Sequence, residues 1–143
     1  MKSTRPTNGY TLTEMLVVIG IIALIAAVLT PALVGQMSRA RAKTAEIQLE
    51  TVATAIETFR DDVGRYPTDA EGVMALVKEP AGVKGWLGPY LRGKKAGRDP
   101  WGQAYLYSVA KDGERFEVWT LGSDKRPEGR GAAADLTAPN DAP

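Results

Sequence analysis

Twenty consecutive residues, Met15 to Val34, carry no charge: MLVVIGIIALIAAVLTPALV. An α-helix rises about 1.5 Å per residue, so a run of this length spans roughly 30 Å, the hydrocarbon thickness of a bilayer. A helix on the surface of a soluble core would keep a polar face, and this run has none. It predicts a membrane-spanning helix. A cleaved secretory signal is the competing reading, because Lys2 and Arg5 precede the run. Against it, the run is longer than a usual signal core, and the helical pattern continues beyond it without a clear stop.

After Gly35 the pattern becomes amphipathic. Ala45, Leu49, Val52, Ile56, Phe59 and Val63 fall on one helical stripe, while Arg39, Arg41, Lys43, Glu46, Glu50, Glu57 and Arg60 lie largely off it. One helix is therefore expected from near Tyr10 to about Asp62, ended by Gly64 and Tyr66-Pro67. Thr68-Asp69-Ala70-Glu71 reads as a capping box opening a short helix to about Lys78, with Val73, Leu76 and Val77 apolar. Glycines and prolines from Gly82 to Gly93 mark a loop. Ala104–Val109 and Arg115–Leu121 read as strands joined by a hairpin at Asp112-Gly113. Pattern alone does not fix a third strand, and the chain from Gly122 onward reads as irregular. The fold class is α+β: a long N-terminal α-helix, half transmembrane and half amphipathic, on a small antiparallel β-sheet head with an irregular C-terminal loop.

Several functions are disfavoured by composition. The chain has neither cysteine nor histidine, which removes thiolate chemistry and both the commonest general base and the commonest zinc ligand. Its 18 basic and 17 acidic residues nearly cancel, which argues against a nucleic-acid partner. No phosphate-binding loop is present. A membrane-anchored hydrolase would have to use carboxylates such as Asp61, Asp62, Asp69 or Glu71, which are better explained as helix-end and capping residues.

The apolar run is preceded by Gly9-Tyr10-Thr11-Leu12-Thr13-Glu14. A carboxylate carried to the bilayer centre costs about 2.5–3.5 kcal/mol, so Glu14 either sits at headgroup level or acquires a partner. No basic side chain lies one or two turns further along. Cleavage after Gly9 would create a partner, the α-amino group of Tyr10, positive at neutral pH.

In these residues the chain resembles the type IV pilin and pseudopilin family, whose precursors carry a short basic leader ending in glycine, then Phe-Thr-Leu-x-Glu and an apolar helix. Met1 to Gly9 matches the leader and Thr11, Leu12 and Glu14 match the block, with Tyr10 where the family usually has phenylalanine. The resemblance implies a prepilin peptidase that cuts between Gly9 and Tyr10 and N-methylates Tyr10. It also implies that Glu14 pairs with the terminal amine of a neighbouring subunit during assembly. Pro31 is shared with many such proteins and either kinks the helix or opens it locally. Basic residues flank the run on both sides, so their count leaves the orientation open. The resemblance places the N-terminus in the cytoplasm and the head in the periplasm of a bacterial inner-membrane protein. The expected divisions are residues 1–9 as leader, 10–35 as transmembrane and polymerisation helix, and 36–143 as amphipathic helix and head.

Tyr66-Pro67-Thr68, Glu71-Gly72, Ala75-Leu76, Trp86-Leu87-Gly88-Pro89-Tyr90-Leu91 and Asp99-Pro100-Trp101-Gly102, with Tyr105 and Tyr107, occur in that order. This series looks like the major pseudopilins of type II secretion systems. Physically, Trp86, Tyr90 and Trp101 are large apolar anchors for a small core. The resemblance implies a homopolymeric periplasmic filament that helps export folded proteins across the outer membrane. Minor pseudopilins and an inner-membrane assembly platform are the implied partners. The alternative is a subunit of another type IV filament, for adhesion, motility or DNA uptake. The resemblance to the major pseudopilins further implies one calcium ion at the loop from Leu121, held by the Leu121 carbonyl and the Asp124 carboxylate. Lys125, Arg126, Arg130 and Ala132-Ala133-Ala134 depart from the family pattern there, leaving Asp135 and Glu128 as substitute ligands. Without a metal, the arginines would pair with Asp124 or Asp135.

Overall fold

The computed structural model describes residues 9–93 and 96–139, so the expected leader up to Asn8, with Lys2 and Arg5, lies outside the described residues. The chain forms two compact units, divided between Met37 and Ser38. Helix α1, Leu12–Val63, contributes to both.

In the first unit every described side chain of α1 is exposed, including Leu16, Ile19, Ile22 and Leu24. The most apolar 18-residue window has a mean hydropathy of 2.8, and none of it is buried. The helix is unbroken through position 31. Proline removes one N–H donor, here the one that would reach the Ala27 carbonyl, but the neighbouring turns keep theirs. Just before it, the Thr30 hydroxyl donates to the Ala26 carbonyl at 2.6 Å.

In the second unit the expected stripe is the core. Ala45, Leu49, Val52, Ile56 and Phe59 are buried, and Val63 packs at the edge. From Leu49 onward they meet Tyr66, Val73, Leu76, Tyr105, Phe116, Val118 and Ala138 in one cluster. Burying a side chain of this size stabilises a fold by about 1.5–3 kcal/mol, so this cluster holds the head together. Tyr90 stands edge-on to both Phe59, 5.8 Å between ring centroids, and Trp86, 5.7 Å. Its hydroxyl donates to Asp62 at 2.8 Å, while the Trp86 indole donates to the Ala75 carbonyl at 2.9 Å. Both rings therefore anchor the core as expected. Trp101 does not: it is half-buried and outside the cluster, and its backbone matters more than its ring.

The capping box forms, but the helix after it does not. The Thr68 N–H donates to Glu71 at 2.7 Å and the Glu71 N–H to the Thr68 hydroxyl at 3.3 Å. Gly72 then turns left-handed (φ +54°), and only a 3-10 segment, Gly72–Leu76, follows. A glycine enters that region without steric cost, which is why a helical pattern stops there. Arg65 grips Glu71 with two bonds, 2.7 and 2.8 Å. That grip, with the Thr68 N–H, holds the Glu71 carboxyl down at about 2.

Strand β1, Leu106–Val109, and strand β2, Phe116–Thr120, pair antiparallel with Leu106 opposite Trp119 and Val109 opposite Phe116. The hairpin closes with Gly113 N–H donating to Ala110 at 2.8 Å. A third strand, β3 (Leu136–Ala138), pairs antiparallel with β2, giving the order β1-β2-β3. The C-terminal stretch is thus not wholly irregular: Ala138 opposes Val118 and is buried. On the other edge, Asp69 accepts the Val109 N–H at 2.8 Å and Pro67 accepts the Tyr107 hydroxyl at 2.8 Å.

Candidate functional site

Two places carry the candidate residues, one in each unit. At the start of α1 the Thr11 N–H and hydroxyl both donate to Glu14 Oε2, at 2.7 and 2.8 Å. The Glu14 N–H returns a bond to the Thr11 hydroxyl at 3.2 Å. This is a complete capping box on the first helical turn. Glu14 therefore has a local partner in Thr11, which a reading in terms of charge alone does not supply. The signal is in the sequence, since Thr-x-x-Glu at 11–14 repeats the spacing at 68–71. Both bonds received by the carboxylate fall on Oε2, so the lone pairs of Oε1 remain for another donor. Gly9 and Tyr10 precede the helix and are exposed, with nothing packed against Gly9.

The second place is the loop between β2 and β3. The chain folds back on itself at two glycines. A Cβ on Gly122 would stand 2.6 Å from the Ala133 carbonyl oxygen and 3.0 Å from that of Ala134. A Cβ on Gly129 would collide with the same Ala133 oxygen and lie 3.2 Å from Asp124 Oδ2. Carbonyl and carboxylate oxygens thus converge where only hydrogen fits. Asp124 Oδ1 accepts the Arg126 N–H at 3.2 Å, and Asp135 Oδ2 accepts the Glu128 N–H at 2.8 Å. Asp135 Oδ1 is buried without a hydrogen-bond partner. A buried carboxylate oxygen left in that state is costly, and it asks for a cation or a donor. Lys125 and Glu128 both adopt positive φ, +60° and +65°, a further strain in the same loop. Among the described residues no arginine or lysine pairs with Asp124 or Asp135.

Among the described residues no three acidic, histidine or cysteine side chains gather around one point. Any ion here would take most of its oxygens from the backbone, which suits calcium and not zinc. Glu128 engages the site through its backbone N–H; its side chain is exposed.

Beside this loop lies a buried polar node. Asp99 is only 2 % exposed, and its carboxylate accepts four bonds. The donors are the Trp101 N–H (3.0 Å), the Gln103 N–H (2.8 Å), the Gln103 amide (3.4 Å) and the Thr120 hydroxyl (2.6 Å). Three of the four carboxylates that a hydrolase would use are committed elsewhere. Asp62 holds Tyr90, Asp69 holds the β1 edge, and Glu71 holds Arg65.

Comparison with known proteins places these features. The family described as "Type II secretion system (T2SS), protein G" matches residues 32–139, and the one described as "Prokaryotic N-terminal methylation motif" matches residues 4–30. The chain is 35% identical over 128 residues to the type II secretion system core protein G of Xanthomonas campestris, covering 90% of this chain and 87% of that one. It is 32% identical over 139 residues to the Vibrio cholerae core protein G, covering 95% and 94%. Among solved structures it resembles the major pseudopilin from the type 2 secretion system of enterohaemorrhagic Escherichia coli. There the TM-score is 0.54 at 23% identity, over 74% of this chain and 92% of that chain, a likeness of fold.

Proposed function

The chain belongs to the type II secretion system protein G family, and on that premise we propose that it is a major pseudopilin, a subunit that polymerises into a periplasmic filament helping folded proteins across the outer membrane. One observation carries the reading: the apolar stretch of α1 is not buried among the described residues. Each exposed leucine or isoleucine there forgoes about 1.5–3 kcal/mol of burial, so the stretch must sit in lipid or against copies of itself.

Assembly begins at the leader. A prepilin peptidase cuts between Gly9 and Tyr10 and N-methylates Tyr10; methylation keeps the positive charge. The new amine of one subunit then meets Glu14 of its neighbour, at the Oε1 side that Thr11 leaves open. Pro31 lies in the same polymerisation helix. Before assembly the chain is a single-pass inner-membrane protein, N-terminus cytoplasmic and head periplasmic, with residues 10–35 as the span. Its partners are further copies of itself, minor pseudopilins and the inner-membrane assembly platform. The chain's work is structural rather than catalytic.

We further propose one calcium ion at the loop from Leu121. The Leu121 carbonyl and the Asp124 and Asp135 carboxylates would hold it, with other backbone oxygens of the loop completing the cage. Asp135 Oδ1, buried and unpaired, supports this reading. The ion would tie the loop between β2 and β3 together and supply the positive charge these oxygens lack.

Deleting the chain tests the main role. Export of folded proteins to the medium should stop while pilus-dependent motility and DNA uptake continue; the opposite pattern would assign it to another filament. For the ion, chelation should lower the melting temperature of the purified protein, and an unchanged midpoint would dismiss the metal.

A further inference from the structure

The buried Asp99 node sits where the loop from Leu121 begins, and the two are joined by hydrogen bonds. The Gln103 side-chain amide, bonded to Asp99 Oδ2, also donates to the Gly122 carbonyl at 2.8 Å. Thr120, whose hydroxyl is held by Asp99, in turn receives the Gly122 N–H at 3.4 Å. Gly122 is thus fixed through both of its backbone polar groups. Its Cα face is pressed against the Ala133 and Ala134 carbonyls, leaving no room for a side chain. Leu121 precedes it directly and Asp124 follows two residues later.

Such an arrangement does more than close a turn. Burying a carboxylate is expensive, and a tight turn at Asp99-Pro100-Trp101-Gly102 needs no more than one or two acceptors. Asp99 has four donors, and three of them belong to the two residues that also grip Gly122. We propose that Asp99 and Gln103 are positioning residues for a divalent cation: they hold Gly122 so that the Leu121 carbonyl and the Asp124 carboxylate are presented before the ion arrives. A site ordered in advance binds more tightly because less loop entropy is lost on binding. The inference rests on the calcium reading above. By reciprocity, the ion must also steady the 99–103 turn.

The experiment uses the full-length processed protein in detergent micelles, titrated with calcium in a calorimeter. Gln103→Met, which keeps the length of the side chain and loses the donor, should raise the calcium Kd tenfold or more. Its melting temperature in chelator should stay within a few degrees of the parent. A calcium Kd equal to that of the parent would overturn the positioning role while leaving calcium binding intact. No binding by the parent itself would remove the calcium reading and this inference with it. Hydrogen exchange on the unmodified protein gives a second route that does not depend on the variant folding. Calcium should slow exchange at the Trp101 and Gln103 amides, which donate to Asp99. Unchanged exchange there would also sink the proposal.

Discussion

The chain contains two Thr-x-x-Glu capping boxes with the same internal bonds and different surroundings. At residues 68–71 the glutamate is also clamped by Arg65, and the box is one piece of a packed head. At residues 11–14 the same reciprocal pair stands exposed at the start of an apolar helix, with no cation among the described residues bonded to it. The contrast separates two jobs that one motif performs. A carboxylate with its counter-ion in the chain stabilises that chain. One without a counter-ion among the described residues satisfies the helix end and leaves an oxygen open, which the proposed assembly would use.

The largest expected effect tests that separation directly. Glu14→Gln retains an acceptor for Thr11 but loses the charge, so filament yield should fall tenfold or more. Processing and membrane insertion should persist, and the head should melt as before. Sheared filaments quantified by immunoblot decide it, and normal yield would mean that the cap alone matters. Glu14→Ala should be at least as severe, since it removes both functions.

Glu71→Gln is the mirror experiment. It breaks the two-pronged bond to Arg65 inside the head and should cost about 1–2 kcal/mol, hydrogen bonds to charged groups lying near that range. For a head of this size that is a fall in Tm of about 4–16 °C, taking about 4–8 °C per kcal/mol. Filament yield at a permissive temperature should not change. If it collapsed while the head stayed folded, the two boxes would not differ in the way described.

The pH dependence follows from the same pair. The Glu71 carboxyl is lowered from 4.5 to about 2 on folding, chiefly by Arg65. Its folded value is depressed, so its contribution is fully present above pH 4.5 and is lost as pH falls towards 2. Urea unfolding of the parent should weaken over that window, and Arg65→Met should flatten that part of the slope. The smallest effect is expected for Thr68→Ala, about 1 kcal/mol for a lost cap.

How much of this was legible in the sequence depends on the range over which each feature is decided. The core stripe from Ala45 to Val63 and the hairpin at Asp112-Gly113 are set by local period and turn chemistry, and both form where expected. β3 was not legible: Leu136-Thr137-Ala138 is too short to show alternation, and only pairing with β2 makes it a strand. The helix expected after Thr68 fails at one residue, Gly72, whose left-handed turn outweighs three well-placed apolar side chains. Trp101 reads as a core anchor by type, yet its part in the head is an N–H to Asp99. The Asp99 node itself joins residues 21 apart in sequence and leaves no periodic trace.

Asp69 beneath β1 has a consequence for a chain that works in crowds. A three-stranded sheet has two open sides, and unpaired strand edges invite other sheets to join them. Here one side is occupied by an aspartate that takes the Val109 N–H, and the other ends in a strand of only three residues. Heads can then be packed at very high local concentration without zipping into amyloid-like stacks. Among the described residues most of the exposed large apolar side chains lie on the bare helix, so contacts between copies would start there.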